Sequence, residues 1–283
     1  MTGSMRPIGL GLPAGSLVRP TVSTKTASVT GWRSFARRSI GPIMLIAFWA
    51  MATGTGLVDP SVLPSPRTVG STVVILWTEQ GLAGQIGISL GRALVGGLIG
   101  IVVGLSLGLV AGLLRLGEEL LDASLQMLRT IPFLALVPLF IVWFGVGELP
   151  KLLLIALAVT FPMYLNTYSG VRNADPKVIE AMRSFGLRGP RLIFEVVLPL
   201  ALPSILTGLR FSLGISVLVL IAAEQINASA GLGYLLNTAQ LYQQVDVILI
   251  CIFVYAFLGL AADLFVRLLE RMLMPWRASA PAR

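Results

Sequence analysis

The chain has 283 residues, 55% of them apolar and 12% charged, with a formal net charge of +8; ordinary soluble domains carry about 25% charged residues, so the composition points to a membrane protein. Histidine is absent and cysteine occurs once, as Cys251, which excludes a histidine base, a zinc site of His and Cys, and an internal disulfide. The positive charge falls in blocks between apolar runs, with no basic stripe interleaved with aromatics, so it reads as membrane topology and not as a nucleic-acid surface.

In chain order, residues 1–38 form a tail rich in Gly, Ser, Thr, Pro and Arg, without acidic residues or apolar periodicity, and the tail is expected to be flexible and cytoplasmic. Its composition also suits an organellar transit peptide, although a flank before a first membrane helix accounts for the arginines equally well. Six apolar spans follow near 39–58, 86–113, 120–146, 150–171, 200–224 and 245–268, each long enough to cross a hydrocarbon core of about 30 Å. The membrane domain is expected over 39–275, with a short C-terminal tail at 276–283. An all-α polytopic membrane fold follows.

The second span places Gly96, Gly100, Gly104, Gly108 and Gly112 on every fourth residue. Missing side chains along one ridge let another helix approach closely, and packing within the chain is the expected use. Pro132, Pro138 and Pro162 are expected to break or bend the third and fourth spans. Lys25, Lys151 and Lys177 are the only lysines and none follows a glycine. The chain therefore has no Gly-Lys-Ser/Thr phosphate loop of its own.

Lys and Arg gather in the N-terminal tail (Arg6, Arg19, Lys25, Arg33, Arg37, Arg38), in the 171–200 connection (Arg172, Lys177, Arg183, Arg188, Arg191) and near the C-terminus (Arg267, Arg271, Arg277, Arg283), with Arg115 in a short connection. The opposite side receives only Arg67 and Lys151. The positive-inside rule then places both termini and the 172–200 loop in the cytoplasm. Arg92, Arg129 and Arg210 remain inside or near spans and are candidates for lining a translocation path. Arg210 lies deepest, and pairing with a carbonyl or carboxylate is its structural alternative; Arg92 and Arg129 sit close enough to span ends to snorkel.

The 172–200 loop carries more charges than any other passage between apolar spans. Asp175-Pro176 reads as an N-cap followed by proline at the first helical position. Val178, Met182 and Phe185 then share one face, Glu180 and Arg183 another, and Gly186 offers a stop. Gly189-Pro190 starts a second short helix towards Val197, with Pro199 and Pro203 closing the unit. Such a pair of helices at the membrane surface is either a docking surface for a soluble partner or a connector that binds nothing.

Glu180-Ala181-Met182, then Gly186, then Val196-x-Leu198-Pro199 resembles the EAA loop of ABC importer permeases, in which Glu-Ala-Ala, three residues, Gly and nine residues precede Ile-x-Leu-Pro. Met182 and Val196 are the departures, and the spacing is kept. Over roughly 35–275, "RTIPFLALVPLFIVWFG", "LPSILTGLRFSLG", "AAEQINASAGLGYLL" and "ADLFVRLLERMLMPW" are similar to the aliphatic sulfonate, taurine, nitrate and bicarbonate permeases. The resemblance implies a six-span permease of the type I importer kind in a bacterial inner membrane. It is expected to pair with a second copy, most simply an identical one, to bind two cytoplasmic ABC ATPase subunits, and to receive a small anion from an extracytoplasmic binding protein. By that likeness Glu180, Ala181, Arg183, Gly186 and Arg188 carry ATPase coupling. ATP and Mg are used by the partner ATPase, and this chain binds no cofactor and catalyses no reaction.

A stand-alone secondary transporter or channel is the alternative reading. It usually buries carboxylates for ion coupling, whereas Glu224, Asp246 and Asp263 lie near expected span ends and no mid-span acid is evident. A membrane-embedded enzyme would need a catalytic cluster, and none converges.

Overall fold

The computed structural model of the protein describes residues 30–114, 117, 127 and 131–275, and no strand occurs among them. The tails at 1–29 and 276–283 and most of the first half of the third expected span lie outside the described residues. The chain forms two units, divided after Phe48. The described part of the first is the N-terminal portion of helix α1 (Thr30–Gly54), which exposes Ile43, Met44, Leu45, Ile46 and Phe48.

The second unit begins at Trp49 and contains α2 (Pro66–Thr78), α3 (Leu82–Leu113), α4 (Phe133–Phe144), α5 (Glu148–Arg172), α6 (Pro176–Ser184), α7 (Gly189–Leu192), α8 (Leu198–Asn227), α9 (Leu232–Leu241) and α10 (Val245–Leu273). Among the described residues four runs are long and apolar enough to cross a membrane: Leu82–Leu113, Glu148–Arg172, Gly189–Gln225 and Val245–Leu273. These coincide with the expected second, fourth, fifth and sixth spans. The short helices α2 and α9 were not expected from the sequence, because each is under four turns and has no charged flank on both sides to delimit it.

Helix α5 is the centre of the bundle. Of its most apolar stretch 61% is buried, against 28% for α3 and 22% for α10, so α5 meets protein on most sides while the others keep a face for lipid. Along the α3 ridge, a Cβ on Gly96 would sit 2.9 Å from Cβ of Ile155, one on Gly104 2.5 Å from the Thr160 carbonyl, and one on Gly108 2.6 Å from Cβ of Thr167. The glycine row is thus filled by α5 of the same chain. The core continues through Leu220 of α8, Leu232 and Leu236 of α9, and Ile250, Cys251 and Tyr255 of α10.

Pro132 is the residue before α4, while α4 and α5 run through Pro138 and Pro162. The expected closure at Pro199 and Pro203 does not occur: α7 continues into α8 through a π-turn at Ile193–Val197, closed by the Leu198 N–H on the Ile193 carbonyl. The wider turn lies immediately before Pro199. It gives room where the Pro199 ring would otherwise press on the Glu195 carbonyl four residues back, so the helix runs on through that proline.

Candidate functional site

Two places in the second unit concentrate polar groups: the α6 turn at one end of the bundle and an ionic cluster at the other.

At the α6 end, Oδ1 of Asp175 accepts the Lys177 N–H at 2.9 Å, and Pro176 opens the helix. The stop is a Schellman arrangement: the Gly186 N–H reaches the Arg183 carbonyl at 3.0 Å and the Leu187 N–H the Met182 carbonyl at 3.1 Å. Gly186 takes φ +89°, a conformation that strains any residue with a Cβ, although the space around it is open. Glycine is required there by backbone geometry and not by packing.

Glu180, Ala181, Arg183, Gly186 and Arg188 are all exposed, so the structure brings the five coupling candidates to one surface. The apolar face differs from the expected one. Ile179 and Met182 are half-buried, whereas Val178 is 36% and Phe185 83% exposed. Of the expected Val178, Met182 and Phe185 face only Met182 turns inward, with Ile179 in place of Val178, since a nine-residue helix offers too few turns to fix its phase. Phe185 is therefore an outward aromatic that the sequence reading assigned to the inside. Beneath α6, a groove of about 520 Å³ is lined by Leu113, Ala174, Ile179, Arg183, Leu192 and Val197, among others.

At the opposite end, Arg92 of α3 is 7% exposed and makes four bonds. Its Nε and Nη2 grip Glu148, at the start of α5, at 2.5 and 2.7 Å; its Nη1 donates to Oε1 of Glu224 at 2.7 Å and to the Ala230 carbonyl at 2.6 Å. Lys151, 3% exposed, adds a 3.0 Å bond to Oε1 of Glu148. Glu224, near the end of α8, is fully buried and also accepts from Ser89 at 2.8 Å and from the Gly233 N–H at 2.8 Å.

The connection from α8 to α9 is wrapped around this cluster. The Gly231 N–H donates to Gln85 at 2.5 Å and the Leu232 N–H to Ser89 at 2.8 Å. Gly231 has φ +114°, and a Cβ on it would lie 2.6 Å from both Arg92 Nη1 and Glu224 Oε1. A Cβ on Gly233 would collide with that of Glu224. The Ala-Gly-Leu-Gly stretch thus has glycine where the backbone closes on a guanidinium–carboxylate pair.

These contacts correct two expectations. Arg92 does not snorkel to an interface; it is buried and paired. Glu224 lies near a span end, as read, but inside the protein, so a fully buried acid does exist. The sequence hid it because its side-chain partners Ser89, Arg92 and Tyr255 come from two other helices. Arg210 follows its structural alternative: its Nε is 3.2 Å from Asp263 and its Nη2 2.9 Å from Glu270, both on α10, while Arg267 also holds Asp263 at 2.7 Å. Its charge is spent on joining α8 to α10. Arg129 lies outside the described residues.

Comparison with known proteins shows the family of the chain. The family model described as "Binding-protein-dependent transport system inner membrane component" matches residues 82–274. A permease protein named for aliphatic sulfonates transport, SsuC of Escherichia coli (strain K12), is 48% identical over 235 residues, covering 83% of this chain and 89% of that protein. Its namesake in Bacillus subtilis (strain 168) is 44% identical over 84% of this chain and 86% of its own length. The taurine transport system permease protein TauC of E. coli (strain K12) is 35% identical over 83% and 86%. Among solved structures, an amino acid ABC transporter with histidines superposes with TM-score 0.59 at 18% identity, over 71% of this chain and 97% of that one. An inward-facing MetNI methionine ABC transporter gives 0.55 at 20%, over 66% and 94%. At such identities these two establish the fold.

Proposed function

This chain belongs to the family of binding-protein-dependent transport system inner membrane components and is a permease subunit of an ABC importer; we propose that it passes an aliphatic sulfonate, delivered by an extracytoplasmic binding protein. The observation that carries the cargo reading is the 44–48% identity to two permeases named for aliphatic sulfonates over more than four-fifths of the chain. The family match leaves no support for a transporter working alone.

The coupling site is α6 with its Gly186 turn. It presents Glu180, Arg183, Arg188 and Phe185 outward, a charged rim around an aromatic, which suits insertion into a groove of a cytoplasmic ABC ATPase. The helix run from Gly189 to Gln225 then carries a push on α6 into the bundle. The basic residues at 172–191 support a cytoplasmic position for this end. The working assembly pairs two copies of the permease with two ATPase subunits in the inner membrane.

The test has two arms. The cognate binding protein should be protected against heat by alkanesulfonates, and the loaded binding protein should stimulate ATP hydrolysis by the complex of permease and ATPase. Protection by an unrelated solute alone would overturn the cargo reading, and absence of a co-purifying ATPase would overturn the coupling site.

A further inference from the structure

The ionic cluster at the end away from α6 has an uneven construction. Its two cations, Arg92 and Lys151, are 7% and 3% exposed, and Glu224 is fully buried, yet the side chain of Glu148 is 55% exposed. Both cations point to that one open carboxylate: the Nε/Nη2 fork of Arg92 closes on it from one side and Nζ of Lys151 at 3.0 Å from another. The other corner of Arg92, Nη1, is held separately by Glu224 and the Ala230 carbonyl. Removing Glu148 would leave the fork in place, aimed at the exposed position that Glu148 occupies.

Charge arithmetic defines what would replace it. Arg92 and Lys151 against Glu148 and Glu224 are neutral; without Glu148 the cluster carries one positive charge. A buried unpaired cation is strongly unfavourable, so Glu148 yields its place only as another anion arrives. That anion must be monovalent and present several oxygens to a guanidinium fork and an ammonium, which a sulfonate does as a carboxylate does. The start of α5 lies at the same point: Gly147 provides no side-chain cap, so the first-turn N–H groups, apart from the position of Pro150, which has none, face it without one.

We propose that Arg92 and Lys151 form an entry site for the sulfonate group of the cargo, kept closed between cargoes by Glu148. The proposal rests on the sulfonate reading above and on the orientation that puts this end outside. Glu224 does not exchange; with Ser89 and the Gly233 N–H it fixes Arg92 so that the fork keeps its aim. The entry step is an exchange of one anion for another without net charge movement, and it leaves the 228–233 connection in place.

The experiment uses the complete permease–ATPase complex in nanodiscs, with methanesulfonate as probe and chloride at equal ionic strength as control, read as the anion-dependent rise in unfolding temperature. Glu148→Gln removes the competing charge and should lower the methanesulfonate concentration needed for half-maximal protection at least tenfold. Glu148→Gln with Lys151→Gln restores neutrality and should abolish protection. Equal protection of wild type and Glu148→Gln, or protection reproduced by chloride, would overturn the site. If Glu148→Gln does not assemble, Lys151→Gln alone decides: protection lost supports the site, protection unchanged overturns it. Should the loaded binding protein stimulate ATP hydrolysis only with another class of solute while methanesulfonate still protects Glu148→Gln, the cargo reading falls and the anion site stands. Stimulation by sulfonates without protection gives the converse.

Discussion

Arg92 and Glu224 stand 132 residues apart in the chain, and Nη1 of one lies 2.7 Å from Oε1 of the other inside the bundle. Around this contact α3, the start of α5, the end of α8 and the connection to α9 are tied together, each supplying a donor or an acceptor.

Replacing either member leaves the other charged and buried. Arg92→Met should lower the stability of the folded permease by about 3–5 kcal/mol. The expected result is a fall in unfolding temperature of the detergent-solubilised protein, together with less protein in the membrane. A variant as stable as wild type would show that the pair contributes nothing net.

The glycine row supplies an internal control. Gly104→Ala puts a methyl 2.5 Å from the Thr160 carbonyl, whereas the space around Gly97, one residue beyond Gly96 on the same helix, is open within 4 Å. Overpacking should make Gly104→Ala less stable by about 1–3 kcal/mol. Gly97→Ala should be neutral or gain about 0.5–1 kcal/mol from higher helix propensity. Unfolding temperatures of the two variants check both; equal effects would contradict the packing of α3 on α5.

Much of this was legible beforehand. Long uncharged runs and the glycine period are local signals, and they located α3, α5, α8 and α10 to within a few residues. The α6 cap and stop were legible too, since Asp175-Pro176 and Gly186 act on their own backbone. The partners of Arg92 and Arg210 were not, because these ion pairs are made by residues 56 and 132 positions apart or 60 apart. Continuity through Pro199 was also hidden, as the π-turn before it leaves no mark in composition.

Phe185 separates partner binding from folding. It is 83% exposed, and surface substitutions away from special features usually change stability by less than about 0.5 kcal/mol. Phe185→Ser should leave the permease as stable as wild type yet reduce the amount of ATPase that co-purifies. Undiminished ATPase recovery would remove Phe185 from the coupling surface.

Arg210 gives the opposite pattern. With Asp263 and Glu270 as partners, Arg210→Gln leaves the partly buried Glu270 without this cation and Asp263 with Arg267. Its half-exposed position argues for a loss of about 1–3 kcal/mol, not more. Uptake should fall only as folded permease falls, so that transport per correctly folded molecule is unchanged. Lower uptake at undiminished folding would return Arg210 to the translocation path.

The central claim is that the α6 turn is a cytoplasmic handle for a separate motor. Arg183→Cys, in a chain whose buried Cys251 has been changed to Ala, places one reactive thiol on that turn. A membrane-impermeant maleimide should label it in inside-out vesicles and leave it unlabelled in intact cells, and added ATPase subunit should block the reaction. Labelling from outside intact cells, or labelling in vesicles that the ATPase does not affect, would contradict the account.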